Sequence, residues 1–431
     1  MSVPSGPKGT RDFYPEEMSF QQFIFSSWQK TCQRYGFEYY EAPMFEHLEI
    51  YTQKSGEEIE KQLYTFKDKA ERMLALRPEL TPSLARMVAA KGNALKRPVR
   101  WYSIPRLFRY EKMQKGRLRE FFQLNMDILG VEDVSADAEL ISAVIDMMRD
   151  LGLNADDFKV RISSRTLLEE LFTASGLDKS SFAELYALLD RKNKISEQQY
   201  KEDLAEIIPD QQLQNRFLAI FASDSLDQIQ LNTGETPALD NLKELFKLLN
   251  YYGFSQYVTF DIGIVRGLAY YTGIVFEVFD IKKSMRAIAG GGRYDKLVEL
   301  YGGPSTPAVG FAAGDVVLGD LIKEKGLQPQ LSARSDVFLV AVGDSGLKEL
   351  IDLAQRIRSE GFSCEFPLKI SNIGKQLKAA NAARSLISIF VGGQEASEGK
   401  FRCKDMLNGE EILVNTNEII SFLQKRLTKK T

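Results

Sequence analysis

Residues 101–130 read WYSIPRLFRYEKMQKGRLREFFQLNMDILG, and the fold follows from how this stretch divides. Two apolar strands, one ending near Tyr110 and one starting near Phe121, flank a loop carrying Lys112, Lys115, Arg117 and Arg119. Gly116 lets the backbone of that loop approach a ligand. On the second strand Gln123, Asn125 and Asp127 alternate with Phe122, Leu124, Met126 and Ile128. A period of two puts the polar side chains on one face and the apolar ones on the other. Arg106 and Arg109 are spaced to lie on opposite faces of the first strand. A row of amide and carboxylate groups facing an arginine suits a small, polar, zwitterionic ligand.

A second stretch points to the same pocket. Thr259–Asp280, TFDIGIVRGLAYYTGIVFEVFD, opens as an apolar strand, breaks at Gly263 and Gly267, and resumes over Thr272–Phe279 with β-branched and aromatic residues. Between the halves stand Arg266, Tyr270 and Tyr271, a cation and two phenols on a bent, glycine-hinged segment. Shortly after, Gly290, Gly291 and Gly292 precede Arg293, and three glycines at a strand end allow close backbone approach to a ligand. Upstream, Met73–Leu76 is a strand, Pro78 and Pro82 restrict the following loop, and Thr81 or Ser83 is placed to cap the next helix. Glu79 lies where that strand empties into the helix start.

Composition narrows the function classes. With 44% hydrophobic and 27% charged residues over 431 positions, the chain is expected to fold as two or three globular domains. Net charge is −3, so contact with nucleic acid must come from local basic patches. Cys32, Cys364 and Cys403 are odd in number and without metal spacing, which suits a reducing compartment. The single histidine, His47, makes a histidine-based triad or metal site improbable and directs attention to carboxylates, arginines and bound ions. The N-terminal residues lack an apolar signal core and no run approaches membrane-spanning length; a cytoplasmic protein without a membrane contact is expected.

In chain order, Met18–Tyr35 reads as a helix and Glu38–Leu48 as a strand interrupted by Pro43, hence an edge or a subunit contact. After the strand beginning at Phe158, residues 165–253 read as a helical insertion. Pro307–Leu321 is a strand entering a helix. A linker is expected at 326–334, and residues 335–431 follow a β-α-β-α-β-β-α pattern, with Asn408-Gly409 as a two-residue hairpin turn. Residues 1–325 therefore form one domain around the insertion, and the last hundred or so residues another.

These motifs resemble those of class II aminoacyl-tRNA synthetases, and specifically of the histidyl-tRNA synthetase family. Phe108-Arg109-Tyr110-Glu111, Gln114-Lys115-Gly116-Arg117-Leu118-Arg119-Glu120-Phe121 and Gln123 match the second class-defining motif; Arg266-Gly267-Leu268-Ala269-Tyr270-Tyr271-Thr272-Gly273 matches the signature of the histidine enzymes. The resemblance implies an α+β fold: an antiparallel sheet flanked by helices, with a helical insertion and a C-terminal α/β anticodon-binding domain. It implies a homodimer through the first motif, here about Met18–His47. It also implies ATP-dependent activation of L-histidine, with Mg2+, and transfer to tRNA(His). By the same resemblance Arg109 and Arg266 are catalytic cations at the α-phosphate and the carboxylate. Glu79, Leu80, Thr81 and Gln123 hold the α-amino end, and Asp127 with Tyr271 reads the imidazole beside Tyr270. Arg109, Glu111, Arg117 and Arg293 contact ATP; no side chain is assigned as a metal ligand. The chemistry agrees: adenylate formation accumulates negative charge, so preorganised cations matter more than a proton-transferring histidine. A carboxylate and a hydroxyl together satisfy the donor and acceptor nitrogens of a neutral imidazole.

The chain departs from the family pattern at two places. Ala269 stands where the signature often has Asp, and the third motif, usually Gly-x-Glu-Arg, reads Gly314-Asp315-Val316-Val317. Loss of one charge-assisted phosphate contact costs roughly 1.5–3 kcal/mol if nothing replaces it; Arg117 and Arg293 are the candidates to replace it. The alternative reading is a catalytically silent paralogue acting as a histidine-sensing regulatory subunit. The retained basic loop and the C-terminal domain weigh against it.

Overall fold

The computed structural model describes residues 3–52, 61–192, 195–223, 225–233, 236–266, 270–282, 285–329, 335–343 and 345–427. Readings that fall on 267–269 and on 330–334 lie outside this set. Glu120–Leu129, ten residues, is the longest strand among the described residues, because strict alternation lets it cover a core on one face while carrying polar groups on the other. It belongs to the first of two compact units, Met1–Pro329 and Gln330–Thr431.

Across the first unit's nine-stranded sheet the order is Glu38–Tyr39, Val99–Ser103, Glu120–Leu129, Ala308–Gly314, Ala289–Arg293, Ile274–Asp280, Phe158–Ser164, Val258–Phe260. Arg106–Phe108 pairs on the front half of Glu120–Leu129. Pairing is antiparallel except at the two outer strands, Glu38–Tyr39 and Val258–Phe260. The apolar face is covered by the helices Pro15–Arg34 and Ser135–Asp150: Ile24, Trp28, Cys32, Leu140, Ile141 and Val144 are wholly buried against Leu124, Met126 and Ile128. Phe25 meets Phe122 edge-on with centroids 4.9 Å apart. Burying each such aliphatic or aromatic side chain contributes about 1.5–3 kcal/mol, so the polar row on the opposite face is held by a well-filled core behind it.

Several elements differ from the sequence reading. Glu38–Leu48 is not one interrupted strand: Glu38–Tyr39 joins the main sheet, while Phe45–His47 joins a separate three-stranded sheet with the hairpin Thr65–Lys67 and Met73–Leu76. Pro43 separates the two pieces, as a residue without an amide donor does. The two strands of the Thr259–Asp280 stretch do not pair with each other: Phe158–Ser164 lies between them, parallel to Val258–Phe260 and antiparallel to Ile274–Asp280. The glycine triplet sits inside a strand, Ala289–Arg293, not at its end. A side chain at Gly291 would run into Phe276, Phe311 and the Gly310 carbonyl. Neither Thr81 nor Ser83 caps Thr81–Lys91, which starts at Leu80 without a side-chain cap; Pro82, lacking an N–H, leaves fewer donors there to satisfy.

The segment 165–253 is helical in its described residues, from Arg165–Ala174 to Pro237–Tyr251, with Phe172 stacked on Phe217 at 5.7 Å. The second unit is a five-stranded sheet ordered Cys364–Glu365, Val337–Val342, Ile387–Gly392, Lys400–Asp405, Glu411–Asn415. Its own core holds Leu339, Leu350, Ile357, Ile389 and Leu423. The turn before Glu411 is longer than two residues: Asp405 accepts from the amides of Leu407 and Asn408, and its backbone pairs with Glu410. An aspartate that bonds its own following amides organises such turns. No helix among the described residues is long and apolar enough to cross a membrane.

Candidate active site

The register of the central strands decides what the polar face can hold. Asp127 pairs with Gly310 and Gly310 with Gly292; Asn125 pairs with Ala312 and Ala312 with Gly290; Gln123 pairs with Gly314. Paired residues share a face, so Gln123, Asn125 and Asp127 look across a strip almost free of side chains. The strip is required by packing. A Cβ on Gly310 would collide with the Asp127 carboxylate, and one on Gly290 with the Arg266 guanidinium. Trp101 flanks Asp127 on one side, and Glu277 flanks Gly290 on the other.

The loop after Met73–Leu76 supplies one wall. Glu79 is 5% exposed; its Oε2 accepts from the Tyr270 hydroxyl at 2.7 Å, while its Oε1 is buried without a donor. Burial pushes the Glu79 pKa up, opposed by the Tyr270 hydrogen bond and by the charges of Arg109 and Arg266. Thr81 also interacts with the Tyr270 hydroxyl, and Leu80 is wholly buried beneath them. Arg109 leaves the end of Arg106–Phe108. Its Nε donates to the Pro78 carbonyl at 2.9 Å and its guanidinium lies 5.3 Å from the Phe121 ring centroid. Burial lowers its pKa, with Glu79 and Tyr270 opposing and Arg266 and Arg286 reinforcing that shift.

The opposite wall comes from the chain around Arg266. This residue has φ +55°, a left-handed conformation uncommon for anything but glycine. Its Nη1 donates to Glu277 Oε1 at 2.7 Å, its Nε is buried without an acceptor, and its guanidinium is 5.8 Å from the Tyr271 ring. Tyr270 and Tyr271 have centroids 5.2 Å apart, and Tyr270 meets the ring of Tyr294 edge-on at 6.1 Å. Tyr294 in turn donates to Asp127 Oδ1 at 2.6 Å. Burial raises the Asp127 pKa to about 7, the Tyr294 hydrogen bond pulling the other way.

Glu79, Thr81, Arg109, Asp127, Arg266, Tyr270 and Tyr271 thus converge, with Gln123 on the same strip. The remaining sequence candidates lie elsewhere. Glu111 is ion-paired with Arg117 on the basic loop. Arg293 faces the helix-covered side of the sheet: its guanidinium donates to Asp137 Oδ2 at 2.9 and 2.6 Å, to the Val131 carbonyl at 3.0 Å and to the Asp133 carbonyl at 2.7 Å. The strand alternation that turns Gly290 and Gly292 toward the site turns Arg293 away from it, so it is not placed to meet a nucleotide on that strip.

In the third-motif stretch, Asp315 accepts from Arg11 at 2.7 Å and from the Phe122 amide at 3.0 Å. Val317 packs under Gly116, the turn of the basic loop. Sequence reasoning missed Glu277, Tyr294 and the small-residue strip. The last was readable as Gly310, Ala312 and Gly314 at a period of two. Glu277 was visible as one charge in an apolar strand, but nothing local marks Tyr294 as Asp127's partner. Chemically, an orphaned carboxylate oxygen on Glu79 suits an ammonium group, and Arg109 with Arg266 suits a carboxylate or phosphate. Asp127 beside phenols suits a ring N–H.

A family profile described as histidyl-tRNA synthetase matches residues 9–315, and one described as anticodon binding domain matches 336–426. A histidine–tRNA ligase of Opitutus terrae is 40% identical, covering 96% of this chain and 97% of its own length. The chloroplastic/mitochondrial histidine–tRNA ligase of Arabidopsis thaliana is 38% identical, covering 96% and 85%. The crystal structure of histidyl-tRNA synthetase from Nostoc superposes with a TM-score of 0.83 at 24% identity, over 99% of this chain and 100% of that one.

Proposed function

The chain belongs to the histidyl-tRNA synthetase family, and we propose that the recess on the glycine strip is where it activates L-histidine with ATP for transfer to tRNA(His). The carrying observation is the complementarity of that recess to a histidine zwitterion. Glu79 Oε1, buried and without a donor, takes the ammonium, with Thr81 and Gln123 beside it. Arg109 and Arg266 take the carboxylate and the α-phosphate. Asp127 accepts from one imidazole nitrogen, and Tyr271, beside Tyr270, serves the other.

In the reaction a histidine carboxylate oxygen attacks the α-phosphorus, the bond to the bridging oxygen breaks, and diphosphate leaves with the electron pair. Negative charge grows on the phosphoryl oxygens. Two guanidinia fixed beforehand stabilise it without reorganising, a kind of donor whose removal typically costs 10²–10³-fold in rate. A hydroxyl of the terminal tRNA ribose then attacks the adenylate carbonyl and AMP departs. Glu111 and Arg117 of the basic loop would contact ATP, and a divalent cation, which the family's chemistry implies, would neutralise phosphate charge there. The second unit, residues 336–426 of which match the anticodon-binding family, supports a tRNA partner. The relatives named as ligases over nearly the whole chain favour this reading over a silent histidine-sensing subunit.

A homodimer is part of the proposal. Its support is the exposed apolar side chains Tyr39, Met44 and Phe45 of the first motif, with Phe45 edge-on to the exposed Phe66. The proposed compartment is the cytoplasm, in keeping with three free, buried cysteines.

Histidine-dependent ATP–pyrophosphate exchange across a panel of amino acids tests the proposal, with Arg266→Ala in parallel. Exchange is expected with histidine alone, and the variant should lose roughly 10²-fold or more in rate. Histidine binding without exchange in the wild type would overturn the ligase reading.

A further inference from the structure

We propose that Arg165 is a positioning residue for histidine activation, a single guanidinium that fastens the main chain at Val265, Arg266 and Tyr271. The inference rests on the assignment of Arg266, Tyr270 and Tyr271 to the site made above.

Arg165 follows the strand Phe158–Ser164 directly and begins the helix Arg165–Ala174, and it is 7% exposed. Its Nε donates to the carbonyl of Val265 at 3.0 Å, its Nη2 to that of Arg266 at 2.6 Å, and its Nη1 to that of Tyr271 at 3.2 Å. The same turn adds two more ties: the Arg165 amide donates to the Gly273 carbonyl at 2.9 Å, and the Thr166 hydroxyl to the Thr272 carbonyl at 3.1 Å. The Tyr186 ring lies 5.0 Å from the guanidinium.

A guanidinium is a rigid planar fork of five donors. Three carbonyls from two stretches of chain can meet one such plane only if those stretches hold a fixed mutual position. Burying that charge against carbonyls is unfavourable in itself, and burial indeed lowers the Arg165 pKa. What the arrangement secures is geometry. Arg266 holds φ +55°, a conformation that persists only where the surroundings over-determine it, and two of the three acceptors are the carbonyls of Arg266 and its predecessor. With those released, the Glu277 ion pair and the Tyr271 ring are left to hold the Arg266 side chain over Gly290 while its backbone relaxes. The clamp also makes the first turn of the helical insertion and the walls of the recess one hydrogen-bonded unit.

The test is steady-state pyrophosphate exchange with full-length Arg165→Lys, Arg165→Ala and, in parallel, Arg266→Ala. Lysine keeps the charge but cannot bridge three carbonyls. Arg165→Lys should raise the histidine KM about tenfold and lower kcat by a similar factor, with the ATP KM within about twofold of wild type. Millimolar guanidinium should restore Arg165→Ala saturably and leave the wild type unaffected. A general loss of structure would shift both KM values and would not respond to guanidinium. If Arg165→Ala does not fold, Arg165→Lys decides alone. Unchanged histidine KM and kcat in folded Arg165→Lys overturn the proposal, provided Arg266→Ala is crippled. If Arg266→Ala is also unaffected, it is the site assignment that has failed.

Discussion

The phenol of Tyr294 donates to Oδ1 of Asp127 across 2.6 Å, and both side chains are buried where the facing strand positions are glycines. That pairing orients a carboxylate on a strip where no side chain competes for it. It does not offset the cost of burial: the acid is raised to about pKa 7 from an ordinary value near 4. The imidazole-reading group proposed here therefore titrates in the neutral range.

Histidine affinity should consequently depend on pH in a particular sense. Above about pH 7 Asp127 is ionised and accepts from a ring N–H; below it the carboxyl is protonated and that acceptor is lost. Between pH 8 and 6 the wild-type histidine KM should rise about tenfold from this group. The ligand's own imidazole, with an ordinary pKa near 6.5, adds to the rise at the acid end. Asp127→Asn should bind more weakly at pH 8 and show only the ligand's part of the profile. A wild-type KM that is flat from pH 6 to 8 excludes Asp127 as the imidazole acceptor.

Stability should move the other way. The folded Asp127 keeps its proton up to about pH 7, whereas the unfolded one releases it near 4. The folded state thus binds more protons between these values, and this group's contribution is fully present below about pH 4 and lost as pH rises through 7. Between pH 5.5 and 8.5 the loss is on the order of 1–2 kcal/mol. Asp127→Asn is neutral throughout and still accepts from Tyr294. Its melting temperature relative to wild type should therefore be higher at pH 8.5 than at pH 5.5; an equal difference at both would show that the buried carboxyl is not the titrating group.

Arg293 carries a prediction that separates the sequence reading from the fold. Its side chain is 8% exposed and that of Asp137 is wholly buried, so removing the cation leaves an uncompensated buried carboxylate, a loss of about 3–5 kcal/mol. Arg293→Ala should melt well below wild type, and Arg293→Lys by less, while the ATP KM of either folded variant stays within about twofold of wild type. A raised ATP KM at unchanged stability would restore the phosphate-binding role expected from the sequence.

The contrast shows what was readable. Alternation over Gln123–Ile128 divides that strand into a polar and an apolar face because successive side chains of a strand point to opposite sides, although both faces are buried. The basic loop and the arginine before two tyrosines were likewise legible as local patterns. The side on which Arg293 lies follows from register: the triplet of glycines reads as a strand end, and only its place inside a strand makes the alternation decide where Arg293 points. Tyr294, Glu277 and Arg165 act through partners more than a hundred residues away, or through a neighbouring strand. No periodicity in a single sequence encodes which strand lies next to which. For the same reason nothing in Thr259–Asp280 shows that Phe158–Ser164 is intercalated between its two strands.

Val317 occupies the third-motif position where the family usually has arginine, and the simplest repair, Val317→Arg, should make the enzyme worse. Val317 is 8% exposed, and even a Cβ added to Gly116 would approach its Cγ2 to 3.0 Å, so the turn of the basic loop rests directly on it. Gly116 has φ +75° and cannot easily shift to a different turn with a larger neighbour beneath it. An arginine there would lift the loop that carries Arg117 and Arg119, or be buried without a partner. The adjacent Asp315 is already engaged by Arg11 and by the Phe122 amide. In pyrophosphate exchange Val317→Arg should therefore raise the ATP KM several-fold, at least, while the histidine KM changes little, since the glycine strip lies beyond the loop. A lowered ATP KM would mean instead that the loop adapts and that the chain lacks only the missing cation.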